Sequence, residues 1–118
     1  MDDITLDIHK TVFEPQDEVV GRVTWSLHRS PKVVTVTAGW YTQGRGSEDE
    51  QIEIEQKWRT DENRGVQGFV LPLSKSPYSY SGKLIEIIWY VSAETKKGGL
   101  HTRTDIVVSP NGKPVTLS

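Results

Sequence analysis

Nearly every segment of this chain carries its apolar side chains at a period of two, and no stretch makes a convincing amphipathic helix. Successive side chains of a strand point to opposite sides, so this pattern commits the chain to strands with one buried and one wet face. Ile4, Leu6 and Ile8 alternate with Thr5, Asp7 and His9, as expected near a sheet edge. Val19, Gly21, Val23, Trp25 and Leu27 alternate with Val20, Arg22, Thr24, Ser26 and His28. A third strand, 33–42, places Val34, Val36, Ala38 and Trp40 on one side, with Val33, Thr35, Thr37, Gly39 and Tyr41 on the other. In 51–59, Ile52, Ile54 and Trp58 oppose Glu53, Glu55 and Lys57, and Gln56 interrupts the apolar series, which predicts an exposed or edge strand.

Turn chemistry separates these runs. Glu14-Pro15-Gln16-Asp17, Arg29-Ser30-Pro31-Lys32 and Asp61-Glu62-Asn63-Arg64-Gly65 each bring the Pro, Asp, Asn or Gly that reverses a chain. The run Gln43–Glu50 is Gly-rich and acidic and is expected to be a mobile loop. Phe69 and Leu71 share a face before Pro72, which cannot donate to a ladder, ends that strand. After Ser76–Gly82 comes the longest run, 84–93, with Ile85, Ile87, Trp89, Val91 and Ala93 on one face. Leu84, Ile88 and Tyr90 make the other face apolar as well, so this strand should be central, with its second face covered by a loop, a terminal segment or a partner. Lys96-Lys97-Gly98-Gly99 predicts a tight connection into 100–109, where Thr102, Thr104, Ile106 and Val108 align. After a turn at 110–114, residues 115–118 form an edge stub or a tail. About seven strands at spacings of roughly 10 to 18 residues read as one antiparallel, immunoglobulin-like β-sandwich over 1–118.

Bulk properties narrow the function. A chain of 118 residues buries roughly 65% of its unfolded surface without staples, in keeping with the absence of cysteine. That absence removes disulfides and thiolate metal sites, and it agrees with a cytoplasmic location. The acidic, alternating start Met1-Asp2-Asp3-Ile4 does not read as a signal peptide, and no apolar run approaches the roughly 20 residues that span a bilayer. With 14 basic and 16 acidic residues and a net charge of −2, nucleic acid is not an expected partner.

No constellation promises chemistry. His9, His28 and His101 fall on polar faces of three different strands, without the spacing of metal ligands, so no metal or other cofactor is expected. No serine sits in a nucleophile-elbow setting, and Glu48-Asp49-Glu50 lacks the alternation of a calcium loop. Glu53 and Glu55 are more simply edge-protecting charges than a hydrolytic carboxylate pair. Of four tryptophans, Trp25, Trp40 and Trp89 follow the inward periodicity, while Trp58 stands beside charges and is expected to be the most exposed. Trp58 and Tyr41 together could stack sugars, which makes a carbohydrate-binding module the alternative function.

Three segments carry a family resemblance. Glu18-Val19-Val20-Gly21-Arg22-Val23-Thr24 follows a Phe-x-Pro turn and resembles the early G-x-V-x-G-x-V strand of the arrestin-like β-sandwich family, with Gln16-Asp17 in place of its first Gly. Phe69-Val70-Leu71-Pro72 is similar to the family's F-x-L-P segment. Ser76-Pro77-Tyr78-Ser79-Tyr80-Ser81-Gly82, running into the Ile85–Ala93 alternation, resembles its P-x-S-Y-x-G turn and I-x-W-x-V-x-A strand. The resemblance covers roughly residues 12 to 93. It implies a non-enzymatic scaffold or adaptor, as in arrestins, retromer-type subunits and a bacterial sporulation-control protein. The matching residues are structural ones, so the binding surface must be sought elsewhere. Ile88 and Tyr90, on the second face of the long strand, are the expected contact for a protein partner or a second copy, with Trp58 and Tyr41 as further candidates.

Overall fold

The structure, a computed structural model, describes residues 2–44, 49–82, 85–95 and 99–116. The centre of the expected mobile loop (45–48), Lys83 and Leu84 before the long strand, and Lys96-Lys97-Gly98 of the expected tight connection lie outside the described residues.

Seven long strands match the seven expected. They are β1 (Asp3–Ile8), β3 (Glu18–Ser26), β4 (Lys32–Gly44), β5 (Glu50–Thr60), β6 (Arg64–Pro72), β8 (Ile85–Thr95) and β9 (His101–Val108). Three two-residue strands join them: β2 (Val12–Phe13), β7 (Tyr80–Ser81) and β10 (Val115–Thr116). Among the described residues no helix is long and apolar enough to cross a membrane.

The strands form two sheets, so the all-β sandwich expected from the alternation is the observed architecture. The smaller sheet has the order β1-β3-β6, antiparallel throughout, with β1 at an edge as its alternation predicted. In the seven-stranded sheet β8 pairs with β4 along one side and with β9 and β7 along the other, and β5 closes the β4 side as an edge strand. The short strands β2 and β10 add to β9 and β7 in parallel.

The core lies between the two inner faces. Val19, Val23, Trp25, Phe69 and Leu71 from the small sheet meet Val34, Val36, Ala38, Trp89, Val91, Ala93, Ile106 and Val108 from the large one, all at most 5% exposed. Each larger aliphatic or aromatic group withdrawn from water contributes about 1.5–3 kcal/mol, so a core of this extent stands without cross-links. The long strand overshoots it: Ile87 is half-buried and Ile85 is 38% exposed, because the β4–β8 ladder continues beyond the opposing sheet. In β4 both faces are covered, since Thr35 and Thr37 are buried on the side where alternation predicted a wet face.

Small residues let large ones in. A Cβ at Gly21 would meet the Asp7 carbonyl at 2.3 Å and the Phe69 ring at 2.9 Å, and one at Gly65 would strike the Trp25 ring at 2.4 Å. The Trp25 indole N–H, carried to the sandwich end, donates to the Glu62 carbonyl at 3.1 Å.

The Ser76–Gly82 turn is held by β8 and β9. The Ser76–Pro77 peptide is cis. Trp89, fully buried, donates its indole N–H to the Pro77 carbonyl at 2.9 Å. Ser79, 3% exposed, binds Val108 from both sides: its N–H donates to the Val108 carbonyl at 2.7 Å, and its hydroxyl accepts from the Val108 N–H at 2.9 Å. Gly82 lies under the Tyr80 ring, where a Cβ would sit 2.7 Å from the Tyr80 oxygen. The motif thus seals one end of the core.

Removing the Ser79 hydroxyl strands a buried N–H, which costs about 1–3 kcal/mol. Ser79→Ala should therefore lower unfolding free energy by that amount in urea titration, while Ser81→Ala, at an exposed position, should stay within about 0.5 kcal/mol of the parent. Equal effects at the two positions would contradict the assignment.

Candidate functional site

The outer face of the large sheet is built by register. Between Ala38 and Gly39 the β4–β5 pairing shifts by one residue, so that Gly39 pairs with Ile52 while Ala38 pairs with Ile54. A bulge of this kind leaves one residue of β5, Glu53, unpaired and reverses the alternation beyond it. Ile54 and Trp58 consequently pack on the core, while Ile52 moves to the outer face and is 49% exposed. Glu53 is turned toward the Trp40 indole, which donates to Glu53 Oε1 at 2.9 Å. Strict alternation had placed Ile52 with Ile54 and Trp58, and the bulge corrects that.

Beyond the bulge the pairings stack into rows across β5, β4, β8 and β9. One row is Ile52, Gly39, Tyr90 and Asp105, and the next is Glu55, Thr37, Ser92 and Arg103. The third is Lys57, Thr35, Glu94 and His101. Small residues in the middle of the second row, flanked by long ones, leave a shallow hollow of about 240 Å³. Its lining includes Thr37, Ser92, Glu50, Glu55, Glu94 and Arg103. A neighbouring depression of about 500 Å³ shares Glu55 and Glu94 and extends to Lys57 and Arg59.

Tyr90 closes one end of the hollow. Its ring crosses Gly39, where a Cβ would lie 3.0 Å from the phenol oxygen, and it is 4% exposed. The hydroxyl donates to Glu50 Oε1 at 3.1 Å. The Arg103 guanidinium sits 4.9 Å from the centre of the Tyr41 ring and 5.4 Å from that of Tyr90, and its Nε is 3.8 Å from Asp105 Oδ1. Cation–π contacts of this kind contribute about 0.5–1 kcal/mol each at open sites. The Tyr41 and Tyr90 rings stand 6.1 Å apart and tilted by 48°. Burial, then the Glu50 carboxylate, push the Tyr90 phenol up to about 12, and Arg103 opposes the shift.

The four residues singled out from the sequence do not share one surface. Tyr90 and Tyr41 meet on the outer face, but Tyr90 is covered by Arg103 and Tyr41 is half-buried. Ile88, paired with Tyr41, is also half-buried. Trp58 pairs with Val34 and packs against the core from the other side of β5. Trp58 and Tyr41 therefore form no common platform for stacking a sugar.

The residues that shape the hollow were missed. Thr37, Ser92 and Glu94 carry no signal beyond polar-face periodicity, and their convergence with Glu55 and Arg103 depends on the pairing of distant strands. The histidines stay apart. His9 Nδ1 lies against the Val20 backbone, His28 forms an exposed 3.6 Å contact with Asp2, and His101 lines the hollow. Among the described residues no three His, Cys, Asp or Glu gather to hold a metal, and no histidine is hydrogen-bonded to a hydroxyl.

The fold is an arrestin-like β-sandwich, the fold implied by the turn and strand motifs. Among solved structures the chain is similar to the sporulation control protein Spo0M from Bacillus subtilis, with a TM-score of 0.65 and 13% sequence identity over 92% of this chain and 49% of that one. The chain thus spans about half the length of Spo0M. A β-glucosidase from Listeria innocua aligns with a TM-score of 0.44 and 13% identity over 97% of this chain and 17% of that one, too loosely to carry an argument. No family model matches the sequence, and no curated protein matches it.

The Tyr90 environment has a pH consequence. The unfolded chain releases this proton near the usual value of 10, whereas the folded chain holds it to about 12. The folded state binds more protons in that window, so stability falls as pH rises from 10 to 12. In an absorbance titration at alkaline pH, one of the four tyrosines should ionise near 12, and Glu50→Gln should bring it down. Ionisation of Tyr90 near 10 would contradict the packing described.

Proposed function

We propose that the chain is a non-enzymatic interaction scaffold, an adaptor domain that binds a protein partner through the outer face of its large sheet. The observation that carries this reading is the outer face itself. Tyr90, Tyr41, Arg103 and Glu50 are held to one another across β8, β4, β9 and β5, and open depressions, rather than an enclosed cleft, lie beside them. A preorganised face loses little side-chain freedom on docking, which favours specific protein contacts. Fold alone does not assign function, so the likeness to a sporulation control protein supports the scaffold class and nothing finer.

The face has a different character from the one that the alternation of β8 predicted. Covering of Tyr90 by Arg103 leaves little apolar area there to drive self-association, and a protein partner of complementary polarity suits it better than a second copy. A net charge of −2 weighs against nucleic acid, and a cysteine-free domain suits the cytoplasm.

Site-specific photo-crosslinking tests the reading. A photoreactive phenylalanine at Ile52, 49% exposed on the outer face, should give a discrete protein adduct in cells of the native host, while one at Val66, on the small sheet, should not. The adduct identified by mass spectrometry should then bind the purified domain in calorimetry. Absence of an adduct at Ile52, or of binding on reconstitution, would overturn the proposal.

A further inference from the structure

The hollow between Tyr90 and Glu94 has a floor and walls of different character. On its floor, Thr37 and Ser92 are 5% and 8% exposed, yet neither hydroxyl has a hydrogen-bond partner among the described residues. Both hydroxyls open into the depression rather than being sealed from water, so a ligand entering the hollow meets two oxygens that no protein group occupies. Hydroxyls accept as readily as they donate, and the walls decide which is used.

Those walls are acidic. Glu50, Glu55 and Glu94 line the hollow together with Arg103 and His101. Arg103 is already engaged by Asp105 and two aromatic rings, and Lys57 is held by Glu55 at 3.4 Å. Glu94 has no ion-pair partner among the described residues and stands beside Ser92 along β8. An incoming anion would face three carboxylates, whereas a cation would find carboxylates around it and hydroxyl oxygens beneath. A volume of about 240 Å³ suits one side chain and falls short of a typical small-molecule pocket.

We propose that this hollow receives a single basic side chain, arginine or lysine, from the protein partner. Thr37 and Ser92 accept hydrogen bonds from its head group, and Glu94, the carboxylate not already held by a cation, supplies the charge. The inference rests on the reading of this face as the partner-binding one, and it names the chemistry the partner must present.

The probe is the capped tripeptide acetyl-Gly-Arg-Gly-amide, with its Lys, citrulline and Glu counterparts, titrated into the ¹⁵N-labelled domain. The Arg or Lys peptide should cause saturable amide shifts at residues 37, 92, 94 and 101, with dissociation constants in the range of about 1 mM expected for one residue. Citrulline, which keeps the shape but loses the charge, and Glu should cause none. Glu94→Gln, at an exposed position with no fold role, should weaken the Arg peptide about fivefold, as for loss of one solvent-accessible ion pair. Ser92→Val should weaken it without changing the dependence on charge. Equal shifts with citrulline, shifts confined to other faces, or no shift with either basic peptide would overturn the inference. If the photo-crosslink at Ile52 yields a validated partner while the basic peptides fail, this inference alone falls. If both fail, the scaffold reading falls with it.

Discussion

The molecule depends on β8 being covered on both faces and paired along both edges. On the inner face Trp89 is fully buried, and its one polar atom is satisfied by the Pro77 carbonyl of the turn that precedes the strand. A buried indole N–H without a partner would cost about 1–3 kcal/mol, so the ring and the turn are stabilised together. Ser79 then ties the same turn to β9, the next strand in space. Trp89 thereby fixes the turn at Pro77 against β8, and Ser79 fixes it against β9.

The outer face follows from the same strand. Tyr90 stands immediately after Trp89 and so points the opposite way, over Gly39 on β4. Once the ring lies there, its hydroxyl reaches Glu50 on β5, and Arg103 on β9 stacks above it. Four strands are tied by contacts to one phenol. Among the described residues the small sheet instead leaves Val20, Val66 and Val70 43–62% exposed on its outer side. We propose partner binding on the larger sheet because of this difference between the two outer faces.

How much was legible depended on the range of the interaction. Local patterns were read correctly: the seven long strands, the ends of β6 and β3, and the inward set Trp89, Val91 and Ala93 all follow from alternation and turn residues. Misreadings began wherever a distant residue intervened. Ile52 changed face because a bulge at Glu53, invisible to strict alternation, reverses the pattern. Trp58 was expected to be exposed from its charged neighbours, yet neighbours on a strand point the other way, and its own face packs on the core. Tyr90, expected as open contact area, is covered by Arg103 from a strand thirteen positions on.

By itself the sequence determined the class of fold, because side-chain direction along a strand is a local property with period two, and turn residues act over four or five positions. It also determined the sealing turn, since Pro77, Ser79 and Gly82 act within reach of the strand they precede. Only the tertiary structure decided which polar side chains meet on the outer face. The hollow over Thr37 and Ser92 exists because four strands, separated in the chain by loops of any length, align their polar residues in register. Hydrogen bonding between strands sets that register, and a single bulge shifts it by one residue, which is enough to move a side chain from the core to the surface.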